Sequence, residues 1–218
     1  MTVINPNQIK SELVVFLRNQ DILTITQRGV TTTTYAATIA GAGTATITRI
    51  NVKNIRSITV DATTLAFGTD YTVNYGTGAT GSNCVVTFAS NQSGALVITY
   101  DYGTDKIWPD FPRDDLSISS YPRIAVDILN MPSDAFGIGG SQFISDINFT
   151  VVIYDDNSDD IDSYIYSVRN KFISNAKSFY YLKFIKPTLT GPMISDPEKR
   201  DEIMQRNQDF MSMFNTES

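Results

Sequence analysis

The chain has 218 residues, a formal net charge of −6, one cysteine and no histidine. That length suffices for one large domain or two small ones with cores of their own, and the acidic balance leaves no strongly basic domain for holding nucleic acid. The missing histidine excludes His triads, His–metal sites and His proton shuttles, and the lone Cys84 excludes an intramolecular disulfide or a thiolate metal cluster.

Asn5 and Pro6 open a helix: Asn is a good N-cap, Pro suits the first helical position, and Gln8 completes a capping box. Ile9, Leu13, Phe16 and Leu17 then recur on one face, as in an amphipathic helix packed on a sheet. Residues 19–21 are the exit, and Ile22, Leu23 and Ile25 begin a strand. No apolar run is long enough to span a bilayer. Residues 1–6 lack the basic and apolar parts of a signal peptide, so the expected place of synthesis is the cytoplasm.

From about Gly29 the composition changes. Threonine becomes frequent, and β-branched and aromatic residues come in short runs separated by glycines. The predicted strands are 31–39, 45–52, 57–60, 71–75, 84–88 and 95–101, an arrangement expected of a small β-sandwich. Gly76, Gly78 and Gly81 fall in a G-x-G-x-x-G spacing. A dinucleotide fingerprint must open a helix in a βαβ unit, and here strand-like residues lie on both sides, so a hairpin loop is the better reading.

Residues 106–127 mark a seam between two modules. They hold the only tryptophan, Trp108, with Phe111 and Tyr121 among Pro109, Pro112 and Pro122. Proline fixes its own φ and pushes its predecessor out of the helical region, so the stretch is stiff and extended. Aromatics and arginines anchor interfaces, which makes Trp108, Phe111, Arg113, Tyr121 and Arg123 the candidate docking residues; Trp108 equally fits a seal between the two modules of its own chain.

Beyond the seam, 124–129 is a predicted strand, 131–140 a loop and 142–154 a strand with alternating apolar residues. Asp155, Asn157 and Asp159 match the first oxygen positions of a calcium loop, but Asp160 stands where glycine is required and Tyr166 where the closing glutamate should be. A strand-to-helix connection capped by Ser158 or Asp159 fits better. A helix follows over 161–172, with Ile161, Tyr164, Ile165, Val168 and Phe172 on one face. Residues 179–185 are a strand, Pro187, Gly191, Pro192 and Pro197 punctuate a loop, and 201–214 reads best as a strand completing the sheet.

The fold class is therefore α+β: a mixed β-sheet flanked by two helices, made of 1–28 plus 106–218, with an inserted small all-β domain of Ig-like sandwich type over 29–105. This order resembles the tail-terminator proteins of long-tailed bacteriophages. Leu13-Val14-Val15-Phe16-Leu17-Arg18 is similar to that family's opening helix. Trp108-Pro109-Asp110-Phe111-Pro112-Arg113 with Tyr121-Pro122-Arg123-Ile124 resembles an aromatic–proline segment leading into its first long strand. The helix over 161–172 matches its second helix, and Arg206-Asn207-Gln208-Asp209-Phe210 looks like its closing strand.

The resemblance implies a structural virion protein at the phage neck, made in the host cytoplasm. Its copies would form a hexameric ring that ends the tail tube and joins it to a head-completion or connector protein. DNA would pass through the lumen without sequence-specific binding, and acidic residues there would keep it from sticking. No catalysis, cofactor, metal or membrane is expected. Other readings are a different virion part (head completion, tube or baseplate), or a carbohydrate or host-surface binding module using Tyr71, Tyr75, Tyr100 and Tyr102. An enzyme would have only the carboxylate pairs Asp114/Asp115 and Asp159/Asp160 to work with.

Overall fold

A computed structural model describes residues 6–76, 83–109, 121–131, 133–135, 143–195 and 203–215. In chain order the elements are α1 (Pro6–Asn19), α2 (Ile25–Arg28), β1 (Val30–Ile47), β2 (Val52–Val60), β3 (Thr63–Thr64), β4 (Tyr71–Asn74), β5 (Cys84–Gly103), β6 (Ile107–Trp108), β7 (Arg123–Asn130), β8 (Ser133–Ala135), β9 (Phe143–Asp155), α3 (Ser158–Ser174), β10 (Lys183–Thr190), β11 (Ile194–Ser195) and β12 (Met204–Asn215). The chain divides into two compact units. One is Met1–Leu23 with Lys106–Ser218, and the other is Thr24–Asp105. The sequence reading put the first boundary after residue 28; the structure assigns α2 to the second unit.

The first unit is α+β. Its sheet runs β10-β12-β9-β7-β6, with β11 beside β12 and β8 beside β9. Every pairing is antiparallel except β6 with β7, so the sheet is mixed. Alternation along β9 turns Ile147, Phe149, Val151 and Ile153 to one face, where they are fully buried. Ile124 and Val126 of β7 and Phe210 of β12 join them in one core with Ile9, Leu13, Val14 and Leu17 of α1 and Ile161, Ile165, Val168 and Phe172 of α3. Phe149 stacks on Phe210 at 5.1 Å, and Phe172 lies 4.7 Å from Phe210. Both predicted apolar helix faces thus meet the same side of one sheet. Glu12, on the buried side of α1, accepts hydrogen bonds from the backbone N–H groups of Tyr180 and Tyr181, tying the helix to the approach to β10.

The second unit is nearly all β. One five-stranded sheet runs β1-β5-β2-β3, with β4 also on β5. β1 and β5 are shared by two halves. Residues 30–39 of β1 pair with 94–103 of β5 beside β2, and 44–47 pair with 84–87 beside β4. The register shifts between Ile39 and Thr44, where Gly41 takes φ 63°, a conformation that glycine adopts without a Cβ penalty. Both halves contribute to one core, including Ala45, Ile47, Cys84 and Val86 from one and Ile58, Leu96, Ile98 and Tyr100 from the other. The Ile55 N–H donates to Tyr75 Oη at 3.3 Å, joining β2 to the end of β4.

Several predictions need correction. Residues 22–25 do not begin a strand: Thr24 and Gln27 form a full capping box around the one-turn helix α2, a T-x-x-Q signal that the apolar Ile22, Leu23 and Ile25 obscured. The strands foreseen at 31–39 and 84–88 belong to the much longer β1 and β5, because bulges carry the pairing through glycines that read as turns. Residues 45–52 split, with 45–47 in β1 and Val52 opening β2. Residues 133–135 form β8 inside the predicted loop. α3 is capped by Asn157, whose Oδ1 accepts from the Asp159 N–H, not by Ser158 or Asp159. The strand expected at 179–185 sits at Lys183–Thr190 and includes Pro187. β10 is an edge strand, where proline's missing N–H can face away from the ladder. The final segment is the strand β12, between β10 and β9. Asn5 and residues 77–82 lie outside the described residues.

Candidate functional site

β6 is two residues long and pairs in parallel with β7, Ile107 opposite Ile124 and Trp108 opposite Ala125. Two bonds fix it. The Ile124 N–H donates to Lys106 O at 2.9 Å, and Arg18 of α1 donates from Nη2 to Ile107 O at 2.6 Å. Ile107 is fully buried, so alternation sends Trp108 to the opposite face of the sheet. Arg123, at the start of β7, lies on that same face, two residues from Ala125.

Three of the five candidate docking residues therefore meet. The Arg123 guanidinium sits 5.8 Å from the Trp108 ring centroid and 4.8 Å from that of Tyr121, both within cation–π range. Arg123 is only 6% exposed, whereas both rings are partly exposed. The Tyr121–Pro122 bond is cis. Burial lowers the Arg123 pKa, partly offset by Tyr121. Phe111 and Arg113 lie outside the described residues.

Two further charged groups, Lys106 and Asp155, act on this cluster electrostatically. Lys106 Nζ donates to Tyr121 O at 3.5 Å. Burial lowers the Lys106 pKa, the Arg123 charge lowers it further, and Asp155 acts the other way. Asp155, at the end of β9, is 4% exposed. Burial pushes its carboxyl up to about 6, with Asp156 and Asp160 adding like charge. Among its described residues, the cluster offers two aromatic rings braced by a buried cation, the kind of side chains that anchor interfaces.

The other candidates fare differently. Asp159 and Asp160 are exposed in the first turn of α3, as carboxylates at a helix N-terminus commonly are. Asp114 and Asp115 lie outside the described residues. Of the four tyrosines considered for sugar stacking, Tyr71 and Tyr100 are each 6% exposed and belong to the core. The Tyr102 ring is covered by Arg49 at 4.0 Å. Among the described residues no group of three or more His, Cys, Asp or Glu side chains could hold a metal ion. None of their helices is long and apolar enough to cross a membrane.

The sequence reading missed two features. On the sheet face away from the helices, Leu129, Thr150, Val152, Pro192, Ile194 and the side of β12 line an open cavity of about 280 Å³. In the all-β unit, Arg28 is buried against two carboxylates. It donates to Asp101 Oδ2 at 2.9 Å and to Asp105 at 2.6 and 3.2 Å. Asp101 also accepts from Thr32 Oγ1 at 2.6 Å and Arg56 Nε at 2.7 Å. The available signal was placement: these charges flank a stretch otherwise dominated by Thr, Ala and Gly. No family model matches the chain, and no curated protein matches it either.

Proposed function

We propose that the chain is a structural virion protein of the tail-terminator kind, a hexameric ring at the phage neck that ends the tail tube and meets the head-side connector. The observation that carries this reading is the α+β unit itself. A mixed sheet has α1 and α3 on one face, and its sequence is interrupted after α1 by an all-β unit. That is the order by which the sequence resembles the family. We read the all-β unit, a single five-stranded sheet whose two halves share one core rather than the two sheets expected of an Ig-like sandwich, as an inserted domain that decorates the ring.

In this reading the Trp108, Tyr121 and Arg123 cluster, with Phe111 and Arg113, belongs to a contact between copies or with a neighbouring virion protein. Aromatic and arginine side chains are the usual anchors of such contacts. The ring has no chemistry to perform. Its net charge of −6 suits a channel through which DNA slides without being held.

Electron microscopy of the purified full chain, alone and mixed with phage tail tubes, tests this. The expected result is rings with an open lumen that sit at tube ends. Particles without a lumen that leave tube ends bare would overturn the proposal.

A further inference from the structure

Among the described residues, most edge strands of the two sheets are short or blunted. β3, β6 and β11 are two residues long, and β4 is four. β10 is longer, but it carries Lys183, Lys186 and Pro187, its register shifts twice, and Phe184 takes φ 57°. Lysine, proline and bulges are the devices by which a sheet edge avoids pairing with another chain.

β1 uses almost none of them. It is an edge strand of 18 residues whose partner among the described residues is β5 alone. From Val30 to Ile47 it has no charged residue and no proline. Residues 31–39, Thr-Thr-Thr-Thr-Tyr-Ala-Ala-Thr-Ile, precede its bulges and are rich in β-branched side chains without a single glycine. No residue between Val30 and Ala45 is fully buried; Tyr35 and Ile39 pack against the core from one face, while Thr34, Ala36, Thr38 and Ala40 are exposed on the other. Its outer row of N–H and C=O groups is a template for another strand.

We propose that β1 is a docking edge for a second copy of this chain, whose own β1 adds as an antiparallel neighbour. Charge argues for that occupant. A protein of net charge −6 repels its copies least where it carries no charge, and no register of β1 against β1 opposes like charges. A strongly charged partner strand would find nothing complementary on this edge. The two-fold pairing is self-complementary, places threonines opposite threonines, and continues the five-stranded sheet of one copy into that of the next. The inference does not depend on the ring reading.

The test uses the full chain in sedimentation velocity over a concentration series at fixed salt. Three forms are compared: wild type, a triple variant with Thr34→Lys, Ala36→Lys and Thr38→Lys, and the same triple with Glu. All three positions are exposed. Far-UV circular dichroism selects variants that keep the native fold; single Thr34→Lys and Thr34→Glu variants replace any triple that does not. The wild type should associate. Each variant alone should associate about tenfold more weakly or less, the effect of a few opposed like charges. An equimolar mixture of Lys and Glu variants should regain association. A wild type monomeric throughout, a folded variant that associates like the wild type, or a mixture that stays dissociated would each overturn the proposal. If the wild type and the variants form the same six-copy species, edge pairing fails while the ring reading stands. If the wild type stops at a dimer that the variants lose, the reverse holds.

Discussion

Arg28 holds both carboxylate oxygens of Asp105, Nη2 to Oδ2 at 2.6 Å and Nε to Oδ1 at 3.2 Å, with both side chains fully buried. Arg28 lies in the first turn of chain in the all-β unit, and Asp105 is that unit's last residue. The pair therefore ties the entrance of the unit to its exit. Gly103 supports the same junction: its φ is 139°, and a Cβ there would come within 2.5 Å of Gly29 O. Such closeness of ends is what an inserted domain requires, since its host must close across the gap.

Removing Arg28 should therefore damage one unit selectively. Arg28→Met removes the buried guanidinium that Asp101 and Asp105 share, leaving Arg56 on Asp101, a loss of about 3–5 kcal/mol. Trp108 is the only tryptophan and belongs to the α+β unit. In urea, the far-UV transition of the all-β unit should move to lower denaturant while the tryptophan fluorescence transition stays. Coincident shifts of equal size would contradict this.

Glu12→Ala should do the converse. Glu12 is 7% exposed, and its carboxylate satisfies the N–H groups of Tyr180 and Tyr181. Losing both bonds costs about 1–3 kcal/mol, and the tryptophan fluorescence transition should register it. An unchanged fluorescence midpoint would mean that this tie contributes nothing.

Asp155 sets a pH dependence. Burial, then the like charges of Asp156 and Asp160, raise its carboxyl from 3.8 to about 6. The folded chain thus holds this proton more tightly than the unfolded chain. The stabilisation is complete below pH 3.8 and is lost as pH rises toward 6. Asp155→Asn should raise the stability read from the fluorescence transition at neutral pH by about 1–2 kcal/mol and flatten the fall between those pH values. A lower midpoint at neutral pH would mean that the ionised Asp155 stabilises the fold.

Cys84 reports opening of the all-β unit. It is 1% exposed, and burial pushes its thiol up to about 12. Since the thiolate is the reactive form, a thiol reagent should modify the native protein only through unfolding. Labelling should accelerate in Arg28→Met and stay slow in Glu12→Ala. Rapid labelling of the wild type would contradict the burial.

Periodic apolar residues were the legible part of the fold. The faces of α1 and α3 and the alternation in β9 are written in residues 9–17, 161–172 and 147–153, because each buries one side against a single sheet. Strand lengths in the Thr-rich region were not legible. Gly41 and Gly94 read as chain reversals but sit within continuous strands, where pairing partners far along the chain override local turn chemistry. Trp108, Tyr121 and Arg123 could be named from their types, but their convergence depends on the parallel β6–β7 pairing, a contact spanning the seam. The Arg28–Asp101–Asp105 cluster needed the fold as well, since its partners lie far apart in sequence.

The mass of the full chain under native conditions decides whether it assembles into the proposed ring. A ring of six copies gives a discrete species of six times the chain mass at physiological salt. A strict monomer at every concentration, with tail tubes present as well as absent, would contradict it.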